Sequence, residues 1–208
     1  SVSRGLGDVY KRQIQSNQGS WRIEDRYPAA DTTEVLMTLG GDLQRISGGA
    51  NVLPDASTGP VYESEPLESR MHLQGMPRLH VQVSTTTVGG QLYALLEDCD
   101  GANCIHVGHA IMDLRYHEGG DDLSSTWAPI VGTITARMEF FALDAEIEAG
   151  HTIRLTLLST GEDYLPASTS SIVTIQEGEG STLQLDTFDP NTKLYWNPPV
   201  CTHEVCVD

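Results

Sequence analysis

The segment Asp98-Cys99-Asp100-Gly101-Ala102-Asn103 is where this sequence most invites chemistry. Oxygen-bearing side chains at alternate positions, followed by glycine, are how short calcium loops begin. Asp98, Asp100 and Asn103 are therefore the calcium candidates. The bidentate glutamate that closes an EF-hand is missing, and the same residues also make a tight Asp-Gly hairpin turn, which is the simpler reading.

The four cysteines fall in two identical spacings, Cys99-x4-Cys104 and Cys201-x4-Cys206. An even number in local pairs points to disulfides and an oxidising compartment. Closing so short a loop contributes about 2 kcal/mol on loop-entropy grounds. Zinc is the competing reading, with His106, His109 or His203 as further ligands, although zinc sites favour closer cysteine pairs. Cys99, Cys104, His106, His109 and His117 can be drawn as one cluster. In a regular extended strand, however, His106 and His109 fall on opposite faces.

Nucleophilic catalysis finds no complete apparatus. A serine hydrolase of the α/β type carries its nucleophile on a Gly-x-Ser-x-Gly elbow between strand and helix, and no such string occurs. The serines lie in polar runs such as Ser168–Ser171, and no histidine is spaced to suggest a partner nucleophile. The many carboxylates follow from composition, so no acid–base pair stands out for glycoside cleavage.

Strands must position whatever these residues do. From Met76 onward the sequence alternates with period two, the pattern of antiparallel sheets with one buried and one wet face. Leu79, Val81 and Val83 alternate with His80 and Gln82. Leu92, Ala94 and Leu96 repeat the pattern, as do Ile134, Ala136, Met138 and Phe140, and then Ile153, Leu155 and Leu157. Strands are expected over 78–84, 91–97, 105–116, 134–143, 151–158, 171–176 and 182–188. Upstream, Glu34–Ile46 reads as two short strands around Gly40-Gly41, a hairpin signal, and Ser47–Pro60 reads as loop. About nine strands without an amphipathic helix predict an all-β sandwich or barrel.

The 208 residues suit one domain with tails, and the net charge of −17 makes phosphate backbones and anionic membranes poor partners. No apolar run is long enough for a membrane span, and no signal core opens the chain. Ser1–Gln13 reads separately: from Ser3 it is what translation of a string resembling a transposase adapter used in preparing sequencing libraries gives, with a natural basic arm as the other reading. It is expected to be a read-through scar on a fragment whose native sequence continues upstream. Without it Lys193 is the only lysine. The expected organisation is a scar (1–13), a linker and edge segment (14–64), a β-sandwich (65–188) and a tail holding the second cysteine pair (189–208).

Several segments in order carry a family resemblance. Glu148-Ala149-Gly150-His151-Thr152-Ile153-Arg154-Leu155 resembles the "aGHrIRL" strand in the C-terminal domain of X-prolyl dipeptidyl-peptidases and cocaine-esterase-like (CocE/NonD) hydrolases. Asp163-Tyr164-Leu165-Pro166 is similar to the aromatic-proline stretch that follows it. Gly75–Ser84 resembles the opening strand, Leu92–Gly108 the next hairpin, and Trp21-Arg22 with Tyr27-Pro28 the segment joining the hydrolase domain. The resemblance spans about Trp21 to Phe188.

That resemblance implies a jelly-roll sandwich of galactose-binding-domain type, with the Ser-His-Asp triad in an upstream α/β-hydrolase domain. No catalytic residue therefore transfers to this chain. Gly150 and His151 match motif positions with structural roles, as a turn glycine and a cap on the following strand. Arg154 and Pro166 match motif positions too, Arg154 on the face opposite the apolar stripe. Arginines common in the family's middle strands are thinned here, which leaves the bound group open. The parent is expected to be an extracellular or periplasmic serine hydrolase acting on prolyl peptides, esters or amides, with no cofactor. The upstream domain is its partner, and contacts between copies are a further expected role. A carbohydrate- or ligand-binding module is the alternative, because one sandwich architecture serves both.

Overall fold

The computed structural model describes residues 12–19, 21–24, 26–40, 43–48, 59–118, 128–161, 163–167 and 170–188. The expected tail, with Cys201 and Cys206, lies outside the described residues, as do residues 1–11. In chain order the strands are β1 (Arg12–Gln15), β2 (Trp21–Glu24), β3 (Thr33–Thr38), β4 (Leu43–Gly48), β5 (Val61–Glu63), β6 (Met71–Gly75) and β7 (Arg78–Thr85). They continue as β8 (Gln91–Asp100), β9 (Asn103–Asp113), β10 (Ile134–Glu139), β11 (Leu143–Ile147), β12 (Thr152–Leu158), β13 (Ser171–Gln176) and β14 (Thr182–Phe188). One 3-10 turn, Leu114–Tyr116, is the only helical element among the described residues. The fold is an all-β sandwich.

Eight strands form the larger sheet and four, in the order β5-β12-β8-β9, form the second. The larger sheet is built from four long ribbons, each broken near its middle. β10 and β11 pair with β7 and β6 respectively, so 134–147 runs antiparallel to 71–85. Likewise β4 and β3 pair with β13 and β14, so 33–48 runs antiparallel to 171–187. The breaks face one another and are bridged by backbone bonds, Phe140 N–H to Pro77 O (2.9 Å) and Gly178 N–H to Leu39 O (2.8 Å).

This arrangement corrects the hairpin expected at Gly40-Gly41, because β3 and β4 do not pair with each other. Glycine within a strand pattern also marks a bend or a close approach, and that is its use here. A methyl group on Gly40 would run into the Glu177 carboxylate of the neighbouring ribbon. The segment read as linker and edge supplies β3 and β4 to one sheet and β5 to the other.

The period-two residues make the core. Leu79, Val81 and Val83 of β7, Leu92, Ala94 and Leu96 of β8, and Ile153, Leu155 and Leu157 of β12 are buried in one apolar cluster with Ala136, Met138 and Phe140. Each large aliphatic removed from water contributes roughly 1.5–3 kcal/mol, enough collectively to hold the two sheets face to face. The outer face of β6 and β11 is covered as well, although its residues are polar: His72, Gln74 and Glu146 are buried, and Asp144 is half-buried with its side chain turned out of solvent. Residues 16–19 and 26–32 lie across it. Asn17 N–H donates to Asp144 O (3.0 Å) and its side-chain amide brackets the Glu146 backbone (3.2 and 2.8 Å). Tyr27 Oη donates to Leu143 O at 2.6 Å and Ala29 N–H to Gln74 Oε1 at 2.7 Å. The edge strand β11 is thus covered rather than left open to pairing.

Candidate functional site

Asp98, Cys99, Asp100, Asn103, Cys104, Gly150 and His151 gather at one end of the second sheet, whereas Pro166 lies toward the other end of β8. Cys99 and Cys104 stand opposite each other in the β8–β9 register and are joined as a disulfide. Gly101 in the turn between them has φ +59°, a conformation glycine adopts without cost. Asp98 points back toward the core side of β8, is buried, and accepts a hydrogen bond from His151 Nδ1 at 2.7 Å. Asp100 and Asn103 pair across the turn and are exposed. Among the described residues, no group of three or more His, Cys, Asp or Glu side chains is placed to hold a metal ion.

Gly150 and His151 immediately precede β12. Gly150 has φ +88° and donates its N–H to Leu67 O (2.8 Å). His151 accordingly enters the strand facing Asp98, tying β12 to the disulfide-closed hairpin. Its pKa is raised above the usual histidine value by the hydrogen bond to Asp98, then by the charges of Asp98, Asp100 and Glu148, against the opposing effect of burial. A raised folded-state pKa adds stability that is complete below the unfolded value and disappears as pH rises through the folded one. Wild type should therefore exceed His151→Gln in urea resistance by more at about pH 5.5 than at about pH 8.5. Equal differences at both pH values, measured by urea midpoints, would remove the charged pair from the account.

Arg154 sits opposite Glu63 in the β12–β5 register and bonds it through Nε (3.2 Å) and Nη2 (3.0 Å). Glu63 is held below the usual carboxylate range, first by a hydrogen bond from Thr152 and also by Arg154. The arginine thus fastens a three-residue edge strand. Pro166 is half-buried in the segment after β12, which folds over the outer face of the second sheet. That segment places Tyr164 beside His109, with Tyr164 Oη and His109 Nε2 2.9 Å apart. Tyr93 and Phe141 complete the cluster, their ring centroids 5.5 and 5.1 Å from His109.

His106 belongs to this cluster, which overturns the expectation that it and His109 lie on opposite faces. A register shift in the β8–β9 ladder pairs Leu96 with Gly108 but Glu97 with His106, so Val107 is an extra residue. Such a bulge resets the alternation. Both imidazoles consequently project from the same face, with His109 Nδ1 and His106 Nε2 3.1 Å apart. Tyr93, Phe141 and Tyr164 had no signal in spacing alone, because they come from three separate segments.

A pocket of about 260 Å³ opens between the sheet edges, lined by Met37, Leu39, Tyr62, Ile153, Leu155 and Leu183 among others. Burial pushes the Tyr62 hydroxyl to a higher pKa, and the Glu177 carboxylate adds to the shift. Besides its aliphatic side chains the pocket holds the Thr38 and Tyr62 hydroxyls and the Glu63 carboxylate, which is engaged by Thr152 and Arg154. His72 is out of reach of any substrate, its side chain having no exposure beside Asp144. His151 bonds Asp98 through Nδ1, but among the described residues no serine hydroxyl meets its other nitrogen.

These features define a β-sandwich domain, held together by strand registers, the Cys99–Cys104 disulfide and ion pairs. Residues 8–195 match the family of the X-Pro dipeptidyl-peptidase C-terminal non-catalytic domain, and the chain belongs to that family. The fold is similar to part of a CocE/NonD family hydrolase from Staphylococcus aureus, at 12% identity and TM-score 0.65, over 87% of this chain and 41% of that one. It is similar too to an aminopeptidase from a marine sediment archaeon of the Thaumarchaeota, at 14% identity and TM-score 0.70, over 84% and 40%. An α-amino acid ester hydrolase matches at 14% identity and TM-score 0.57, over 86% and 36%. The chain thus spans about two-fifths of the length of these solved proteins. No curated protein sequence matches it.

Proposed function

We propose that this domain serves a longer, exported serine hydrolase that cleaves dipeptides after proline or hydrolyses esters and amides. An upstream α/β-hydrolase domain would supply the nucleophile, general base and oxyanion hole. This domain would pack against it, stabilise it and wall the substrate cleft, in a jelly roll of galactose-binding type. The observation carrying the reading is the family match over residues 8–195 of a chain in which no catalytic elbow occurs. The Cys99–Cys104 disulfide supports an oxidising compartment. The alternative of a ligand-binding module draws little from the inter-sheet pocket, whose 260 Å³ falls below the roughly 300–1,000 Å³ of small-molecule sites.

Two measurements test this. Native sequence upstream of Ile14 should show Gly-x-Ser-x-Gly, then an aspartate, then a histidine; a carbohydrate-binding neighbour there would sink the reading. The 208-residue chain alone should not turn over prolyl-dipeptide anilides or aryl esters. Turnover abolished by a serine-directed reagent would show a catalytic serine within it.

A further inference from the structure

The bulge at Val107 brings together two groups that a regular strand would separate. His109 Nδ1 and His106 Nε2 lie 3.1 Å apart, and the rings stack with centroids 5.2 Å apart and planes 27° from parallel. A hydrogen bond between imidazoles needs a lone pair on one ring and an N–H on the other. Protonating both rings would remove that acceptor. Burial, and then the neighbouring His106, hold the His109 pKa below its ordinary value, against a smaller opposing pull from Asp163. Neutral imidazoles are the form that ligates metals.

The spacing suits a shared ion. With metal–nitrogen bonds of 2.0–2.1 Å, two nitrogens on one ion stand about 2.9 Å apart at a right angle and about 3.4 Å apart at the tetrahedral angle. The observed 3.1 Å lies between these values. His106 is exposed, so its ring can turn to aim its lone pair at a common point. On His109 the other nitrogen, Nε2, meets Tyr164 Oη at 2.9 Å. Metal-bound histidines commonly have such an outer partner, which fixes the tautomer and the ring orientation. The charge of −17 and the nearby Asp163 carboxylate raise the local concentration of cations.

We propose that His106 Nε2 and His109 Nδ1 chelate one transition-metal dication of the copper, nickel or zinc class, with water in the remaining positions. Imidazole suits these ions, and copper(II) should bind most tightly of the three. The ring that donates in the metal-free pair moves its proton to its outer nitrogen as the ion binds. Two neutral rings therefore yield the complex without net proton release. With only two protein ligands the ion exchanges readily and keeps open positions.

The test is calorimetric titration of the full, tag-free 208-residue chain with copper(II), nickel(II) or zinc(II) chloride, in a buffer that does not chelate them. One site is expected, with the electron paramagnetic resonance of the copper form showing two bound nitrogens. His106→Gln and His109→Gln should each weaken binding roughly a hundredfold by removing the chelate effect. Tyr164→Phe should weaken it about tenfold by removing the outer partner. Because His106 is exposed, its variant reports on binding even if changes at His109 disturb the fold. Absence of binding overturns the proposal. So does affinity that survives His106→Gln, which would place the ion elsewhere, such as at His203 and the second cysteine pair.

Discussion

Asp144→Ala is expected to cost this domain about 3 kcal/mol, from the loss of one carboxylate on an outer sheet face. Asp144 Oδ1 lies 2.8 Å from His72 Nε2, and the two side chains are 5% and 0% exposed. Removing the carboxylate takes this bond from His72 in a place water does not reach. The expected cost is set at the lower end of the range for a broken buried pair, about 3–5 kcal/mol. The other carboxylate on this face is already engaged. Glu146 already pairs with Arg70 at 2.9 Å, and its Oε1 is buried without a partner. The comparison is Glu139→Ala, whose contact with Arg78 spans 3.9 Å between side chains about half exposed. That exposed pair should contribute no more than about 1 kcal/mol. Urea unfolding of both variants decides the matter. Equal midpoints would mean that residues 16–19 and 26–32 do not seal this face.

The second large effect falls on adjacent phenylalanines. Phe140→Ala should destabilise by about 3–5 kcal/mol, the range for a large aromatic removed from a core that cannot collapse. Phe140 is 2% exposed and lies in the apolar cluster, at the break between β10 and β11. Its backbone N–H is held by Pro77 O at 2.9 Å, so the chain is not free to sink into the cavity. Phe141, next along, is 61% exposed and touches the His109 ring edge. Phe141→Ala should stay within about 0.5 kcal/mol of wild type, as most surface substitutions do. Thermal and urea unfolding of the two variants would test the contrast directly. Similar losses at both positions would mean that the alternation of β10 does not continue through its break.

That alternation shows how far pattern reading goes. Ala136, Met138 and Phe140 are inward by parity alone, because an antiparallel strand with one wet face repeats every two residues. The same rule selects Leu79, Val81 and Val83, and Ile153, Leu155 and Leu157. It fails for Glu146 and for the Asp144 side chain, which have the parity of a wet face yet are covered by a segment more than 110 residues earlier. It fails again at His106 and His109, where one inserted residue, Val107, reverses the parity. The expected turn at Gly40-Gly41 misleads for a related reason: a glycine that permits a hairpin also permits close approach of a neighbouring ribbon, as Gly40 does to Glu177.

By itself the sequence determined the all-β class, the inward faces and, through motif order, the family. These depend on local periodicity and on short strings that survive without knowledge of partners. Only the tertiary structure decided which strands pair, that residues 16–19 and 26–32 cover a polar face, and that two histidines three positions apart share one side. Those outcomes depend on register and bulges, which arise from interactions between distant segments and leave no periodic trace in either.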